Sequence, residues 1–82
     1  MTVRQKLLKD LFNNGLFQDQ AETVLQRYLE SDISKPMRDR MEDDVTDYPE
    51  VLFSAVWMSI KKIVLNWIDE TCPAHWARPM FE

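Results

Sequence analysis

The sequence predicts an all-α single domain, a small bundle of about four helices organised around one long C-terminal helix. Among 82 residues there are one Gly and four Pro, and the prolines sit where elements would begin or end, which leaves little material for a hairpin-rich β fold. Apolar residues make up 45%, with three Trp and four Phe, enough for one modest core in a chain of this length. The apolar positions recur at helical rather than strand spacing. No repeat, low-complexity segment or linker divides residues 1–82, so they read as one domain.

Thr2-Val3-Arg4-Gln5 has the form of a capping box, and Val3, Leu7, Leu8, Leu11 and Phe12 follow on one helical face. Asn14-Gly15 ends this helix, with Gly15 in the left-handed conformation common just past a helix and Leu16 packing back on the last turn. The first helix is therefore expected over residues 3–13. Asp19 with Glu22 suggests a second acidic cap, and Ala21, Val24, Leu25, Tyr28 and Leu29 form a clean amphipathic stripe. That predicts a helix from Gln20 to Glu30, paired with the first as a hairpin by the short connection.

Ser34 as cap, Pro36 in the first turn, and Met37, Met41 and Val45 at four-residue spacing predict a short helix from Lys35 to about Asp44, with an irregular loop as the alternative. The long helix is predicted from Asp47 to Thr71. Asp47 would cap it, Pro49 fits its first turn, and Pro73 stops it. Leu52, Phe53, Val56, Trp57, Ile60, Ile63, Val64, Trp67 and Ile68 then share one broad arc, which is the core face.

The opposite arc carries Glu50, Ser54, Ser59, Lys61, Lys62, Asn66 and Asp69, yet Val51, Met58 and Leu65 recur among them at seven-residue spacing. This second apolar seam is either covered by the chain's own tail or another helix, or it is a surface for self-association or a partner. In the tail, Pro73 starts and Pro79 ends one further helical turn, and Trp76, Met80 and Phe81 are too apolar to stand free in water. They fold back on the bundle or dock into a neighbouring subunit.

A net charge of −4 argues against general nucleic-acid binding, which wants a concentrated basic surface. Arg4, Lys6, Lys9 and Asn13 on the first helix are too few to make one. The single Cys forms no internal disulfide, and no N-terminal apolar run resembles a secretion signal, so the cytoplasm is the expected location. Ser59, Lys61, Lys62 and Asn66 interrupt the longest apolar stretch, and no membrane span is expected.

Candidate chemistry is sparse. Cys72-Pro73-Ala74-His75 is half of a zinc site that a dimer would have to complete, and Cys72 with His75 as nucleophile and base lacks an orienting group or oxyanion donors. Helical Mg²⁺-dependent nucleotide hydrolases need carboxylates at i and i+3 on two facing helices, and the pair that opens the long helix, Asp47 and Glu50, serves better as cap and box. Neither a metal nor a cofactor is expected. Glu42, Asp43, Asp44, Asp47 and Glu50 together make a small acidic patch of the kind that mimics phosphates in a basic groove, diluted by Arg38, Arg40, Lys61 and Lys62.

The order Asp47-Tyr48-Pro49, Trp57, Trp67-Ile68-Asp69-Glu70, Pro73, Trp76 and Arg78-Pro79-Met80-Phe81 resembles small helical proteins encoded by bacteriophages and prophages, over roughly residues 41–82. The resemblance brings no catalytic residue with it. It implies an accessory product of a bacterial cell that acts by binding a host or phage protein or by sequestering a ligand. The expected function is thus a non-enzymatic interaction protein, a homodimer or small oligomer, whose surface uses Val51, Met58, Leu65 and the tail residues Trp76, Met80 and Phe81. The alternatives are an acidic inhibitor of a nucleic-acid-processing host enzyme, carried by Asp43 and Asp44 with their neighbours, and a Mg²⁺-dependent nucleotide hydrolase.

Overall fold

The computed structural model describes residues 1–71 and 74–82, and among them every regular element is helical: α1 (Val3–Asn13), α2 (Gln18–Glu30), α3 (Glu50–Thr71), three short 3₁₀ turns between α2 and α3, and a 3₁₀ helix over His75–Met80. The all-α bundle with a long C-terminal helix is therefore observed. At 22 residues α3 is about 33 Å long, close to the 35 Å longest extent of the molecule. Helix α2 packs against both α1 and α3, whereas α1 and α3 touch only sparsely.

Helix α1 has the predicted limits and the predicted capping box. The Gln5 N–H donates to Thr2 Oγ1 at 3.1 Å and the Thr2 N–H donates to Gln5 Oε1 at 2.8 Å. Its end is a complete Schellman closure, with Gly15 N–H on the Phe12 carbonyl, Leu16 N–H on the Leu11 carbonyl, and Gly15 at φ 101°. Leu16 is buried. Helix α2 starts two residues earlier than predicted, at Gln18. Asp19 is not the cap; Gln20 Oε1 instead accepts from the Phe17 N–H at 3.0 Å, and Asp19 lies inside the first turn, where its charge still suits the helix dipole.

The predicted helix over Lys35–Asp44 does not form. Asp32–Ser34, Arg38–Arg40 and Val45–Asp47 are separate 3₁₀ turns. The reason lies in α1, whose first N–H groups have no partner of their own. The Val3 N–H donates to the Asp43 carbonyl and the Arg4 N–H to the Met41 carbonyl, both at 2.9 Å. A helix through Met41 and Asp43 would turn those carbonyls along its own axis. The four-residue spacing still reads true for burial, since Met37 and Met41 lie in the core and Val45 is partly buried against it.

Asp47 belongs to the last of these turns and does not cap α3, which begins at Glu50. The core arc of α3 is as predicted: Phe53, Val56, Ile60, Val64, Trp67 and Ile68 are buried, with Leu52, Trp57 and Ile63 packed at its margins. By length and composition alone α3 has the 22 residues and the mean hydropathy, 1.4 over 18 residues, of a helix able to cross a membrane, because only Lys61 and Lys62 carry charge between Glu50 and Asp69. In this fold its most apolar arc forms the core with α1 and α2.

The tail folds back in cis. Phe81 is 1% exposed and lies tilted against Trp57 at 5.7 Å between ring centroids. Trp76 donates its indole N–H to the Gly15 carbonyl at 2.8 Å, and Arg78 bridges Asp69 and Glu82. A side chain at Gly15 would meet Ala77 at 3.3 Å, so the glycine serves both the turn and the approach of the tail.

Candidate interaction surface

The outward face of α3 is where apolar side chains remain in water. Val51 is 74% and Met58 58% exposed; Leu65, one heptad further on, is half-buried against the core margin. Ser54, Ala55, Lys62 and Asn66 are exposed around them. Of the two readings of this seam, the structure leaves Val51 and Met58 uncovered by the tail, which passes over Trp57 and Gly15 instead.

Beside the seam, the sparse contact between α1 and α3 leaves an open groove of about 450 Å³. Phe53, Trp57 and Met58 line it from α3, Lys6 and Asp10 from α1, and Asn14 from the turn that closes α1. Lys6 pairs with Asp10 at 3.3 Å and lies 5.4 Å above the Phe53 ring, a cation–π placement that holds the ammonium over the groove. Sequence reasoning missed this groove. Phe53 and Trp57 read as core residues and Lys6 as a solvated charge, and no periodicity within either helix reveals how little the two helices touch.

The tail residues part company. Met80 is exposed and Trp76 is 57% exposed, the latter resting on Phe17 at 5.4 Å. Phe81, predicted to face a partner, is instead part of the monomer core. An aromatic ring near a chain end is excluded from water either way, and here Trp57 offers a site within the same molecule. Phe17, prominent on the surface, carried no sequence signal beyond its place before α2.

Asp43 and Asp44 are exposed, but both are engaged locally. The Tyr48 hydroxyl donates to the Asp43 carboxylate, and Glu42 pairs with Arg4 at 2.9 Å. Asp44 Oδ1 accepts from the Thr46 N–H at 2.9 Å and from its hydroxyl at 2.8 Å. The acidic segment is thus the closing turn over the start of α1. The backbone and then the side-chain bond from Thr46 lower the Asp44 pKa, because both favour the charged form.

A carboxylate whose folded pKa lies below its unfolded one stabilises the fold fully above the unfolded value, about 3.9 for Asp. That contribution is lost as pH falls through the lower, folded value. In a carbon-detected NMR titration, the Asp44 carboxyl should therefore have a midpoint below that of an unstructured Asp. Thr46→Ala should move the midpoint part of the way back, since the backbone donor remains; an unchanged midpoint would mean the hydroxyl bond is absent.

Among the described residues no group of three or more His, Cys, Asp or Glu is arranged to hold a metal ion. His75 is exposed, and Cys72, the other half of the predicted C-x-x-H pair, lies outside the described residues, as does the stop at Pro73. Comparison with protein-family models, curated proteins and solved structures gave no match.

Proposed function

We propose that this chain is a non-enzymatic interaction protein, of the bacteriophage or prophage accessory kind that its C-terminal half resembles, working in the bacterial cytoplasm as a homodimer or small oligomer. The observation that supports this most is the uncovered face of α3. Val51 and Met58 lie exposed on the longest element, while the tail is held elsewhere through Phe81 and Trp76. Apolar side chains clustered on a rigid helix are the usual mark of a protein-binding surface.

The acidic segment supports an inhibitor of nucleic-acid enzymes less well, because Glu42, Asp43 and Asp44 already have partners in the chain. The testing measurement is solution mass by light scattering across a concentration series, for the wild type and Met58→Asp. The wild type is expected to gain mass with concentration towards a dimer, and the variant to remain a folded monomer. A wild type that stays monomeric at every concentration would overturn the self-association reading.

A further inference from the structure

We infer that the partner on this face is a second copy of the chain, bound through α3 in antiparallel orientation about a twofold axis at Met58; the inference rests on the self-association reading above. The seam is symmetric about its middle. Val51 and Leu65 lie seven residues to either side of Met58, so a twofold there sets Met58 against itself and Val51 against Leu65 of the partner subunit, as an isologous contact requires. Ser54 and Ala55 then oppose the partner's Lys62 and the partner's Lys61, small residues facing long ones, which lets the helix axes approach.

Charge chooses the direction. Glu50 lies at the start of α3, and Lys61 and Lys62 past its middle. Among the described residues Lys61 and Lys62 have no carboxylate, and Glu50 no cation, within 4 Å. Antiparallel pairing brings Glu50 to within about two helical turns, along the axis, of the partner's Lys61 and the partner's Lys62, near enough for the long side chains to converge. Parallel pairing would set Glu50 against itself and lysine against lysine, a like-charge contact that suppresses the wrong mode. Antiparallel helices also oppose their dipoles favourably. The remaining acids at the far end of α3 do not disturb this, because Asp69 is paired with Arg78 and Glu70 with Arg27.

The area is limited. A standard interface buries about 800 Å² on each partner, and the face of a single helix offers less, so association in the micromolar range or weaker is expected.

Cysteine trapping tests the register, in a background where the native cysteine is removed by Cys72→Ser. A disulfide needs Cα atoms within about 7 Å. Under mild oxidation Met58→Cys should yield a linked dimer. Val51→Cys alone should not, since the twofold leaves the two copies about 21 Å apart along the axis; Val51→Cys mixed with Leu65→Cys should link one to the other. Separately, Glu50→Lys should weaken the dimer about tenfold, and adding Lys61→Glu and Lys62→Glu to the same chain should restore it. Circular dichroism confirms that each variant is folded.

A dimer in which Val51→Cys links to itself as readily as Met58→Cys is parallel, and overturns the inference while leaving self-association intact. A dimer that no cysteine pair traps uses another surface and does the same. A chain that stays monomeric overturns the inference together with the reading beneath it.

Discussion

Replacing Phe81 by Ala is expected to lower the unfolding free energy by about 3 to 4 kcal/mol, the usual cost of removing a fully buried aromatic ring. The ring is buried in the core and lies tilted against Trp57, so its loss forfeits both the transfer free energy and the packing around the void. Since small domains have only about 5 to 15 kcal/mol in all, the variant should unfold at markedly lower urea concentration. The measurement is a urea titration followed by tryptophan fluorescence, at protein concentrations low enough to keep the chain monomeric. A loss under about 1 kcal/mol, within the range of surface substitutions and slight truncations, would mean that the tail is not docked on its own chain and that Phe81 is free for a partner.

On α3 itself, Ile60→Ala and Met58→Ala should separate cleanly. Ile60 is fully buried, and truncating it should cost about 3 kcal/mol, within the span seen for large-to-Ala changes in cores. Met58, two residues away and more than half exposed, should cost less than about 0.5 kcal/mol in the monomer. Chemical denaturation of the two variants side by side reads the difference directly. If Met58→Ala proved as damaging as Ile60→Ala, the face on which the proposed function depends would be interior, and the surface argument would fail with it.

These expectations rest on parts of the structure that were legible to different degrees. Helix α1 was readable to the residue, because its capping box and the Asn14-Gly15 closure are chemical signals carried entirely by neighbours in sequence. The core arc of α3 was readable for the same reason: a 22-residue helix repeats its pattern often enough to fix which side chains face inward. Val51 and Met58 stood out as a second seam from the sequence, and their exposure is what the fold added.

The failures have a common cause. The segment before α3 looked helical because Met37, Met41 and Val45 recur every four residues, yet successive 3₁₀ turns bury Met37 and Met41 equally well. What decided between them was a demand from elsewhere in the chain. The Met41 and Asp43 carbonyls satisfy the first amides of α1, a contact made across nearly forty residues of sequence and visible to no local pattern. Asp19 and Asp47 were likewise plausible caps that the backbone path bypassed, Asp19 because Gln20 reached the Phe17 amide first.

The sequence by itself thus determined that this protein is helical, where α1 begins and ends, and which arc of α3 is core, since those depend on hydrogen bonds and periodicity within one element. Tertiary structure decided the rest. It set the path of the tail, which buries Phe81 on Trp57 and leaves Val51 and Met58 uncovered, and the sparse contact of α1 with α3, which leaves the groove beside Phe53. It also converted an acidic stretch from a free patch into a cap. Each of these depends on which groups, distant in sequence, are left without a partner when the helices come together, and only packing in three dimensions selects among the partners on offer.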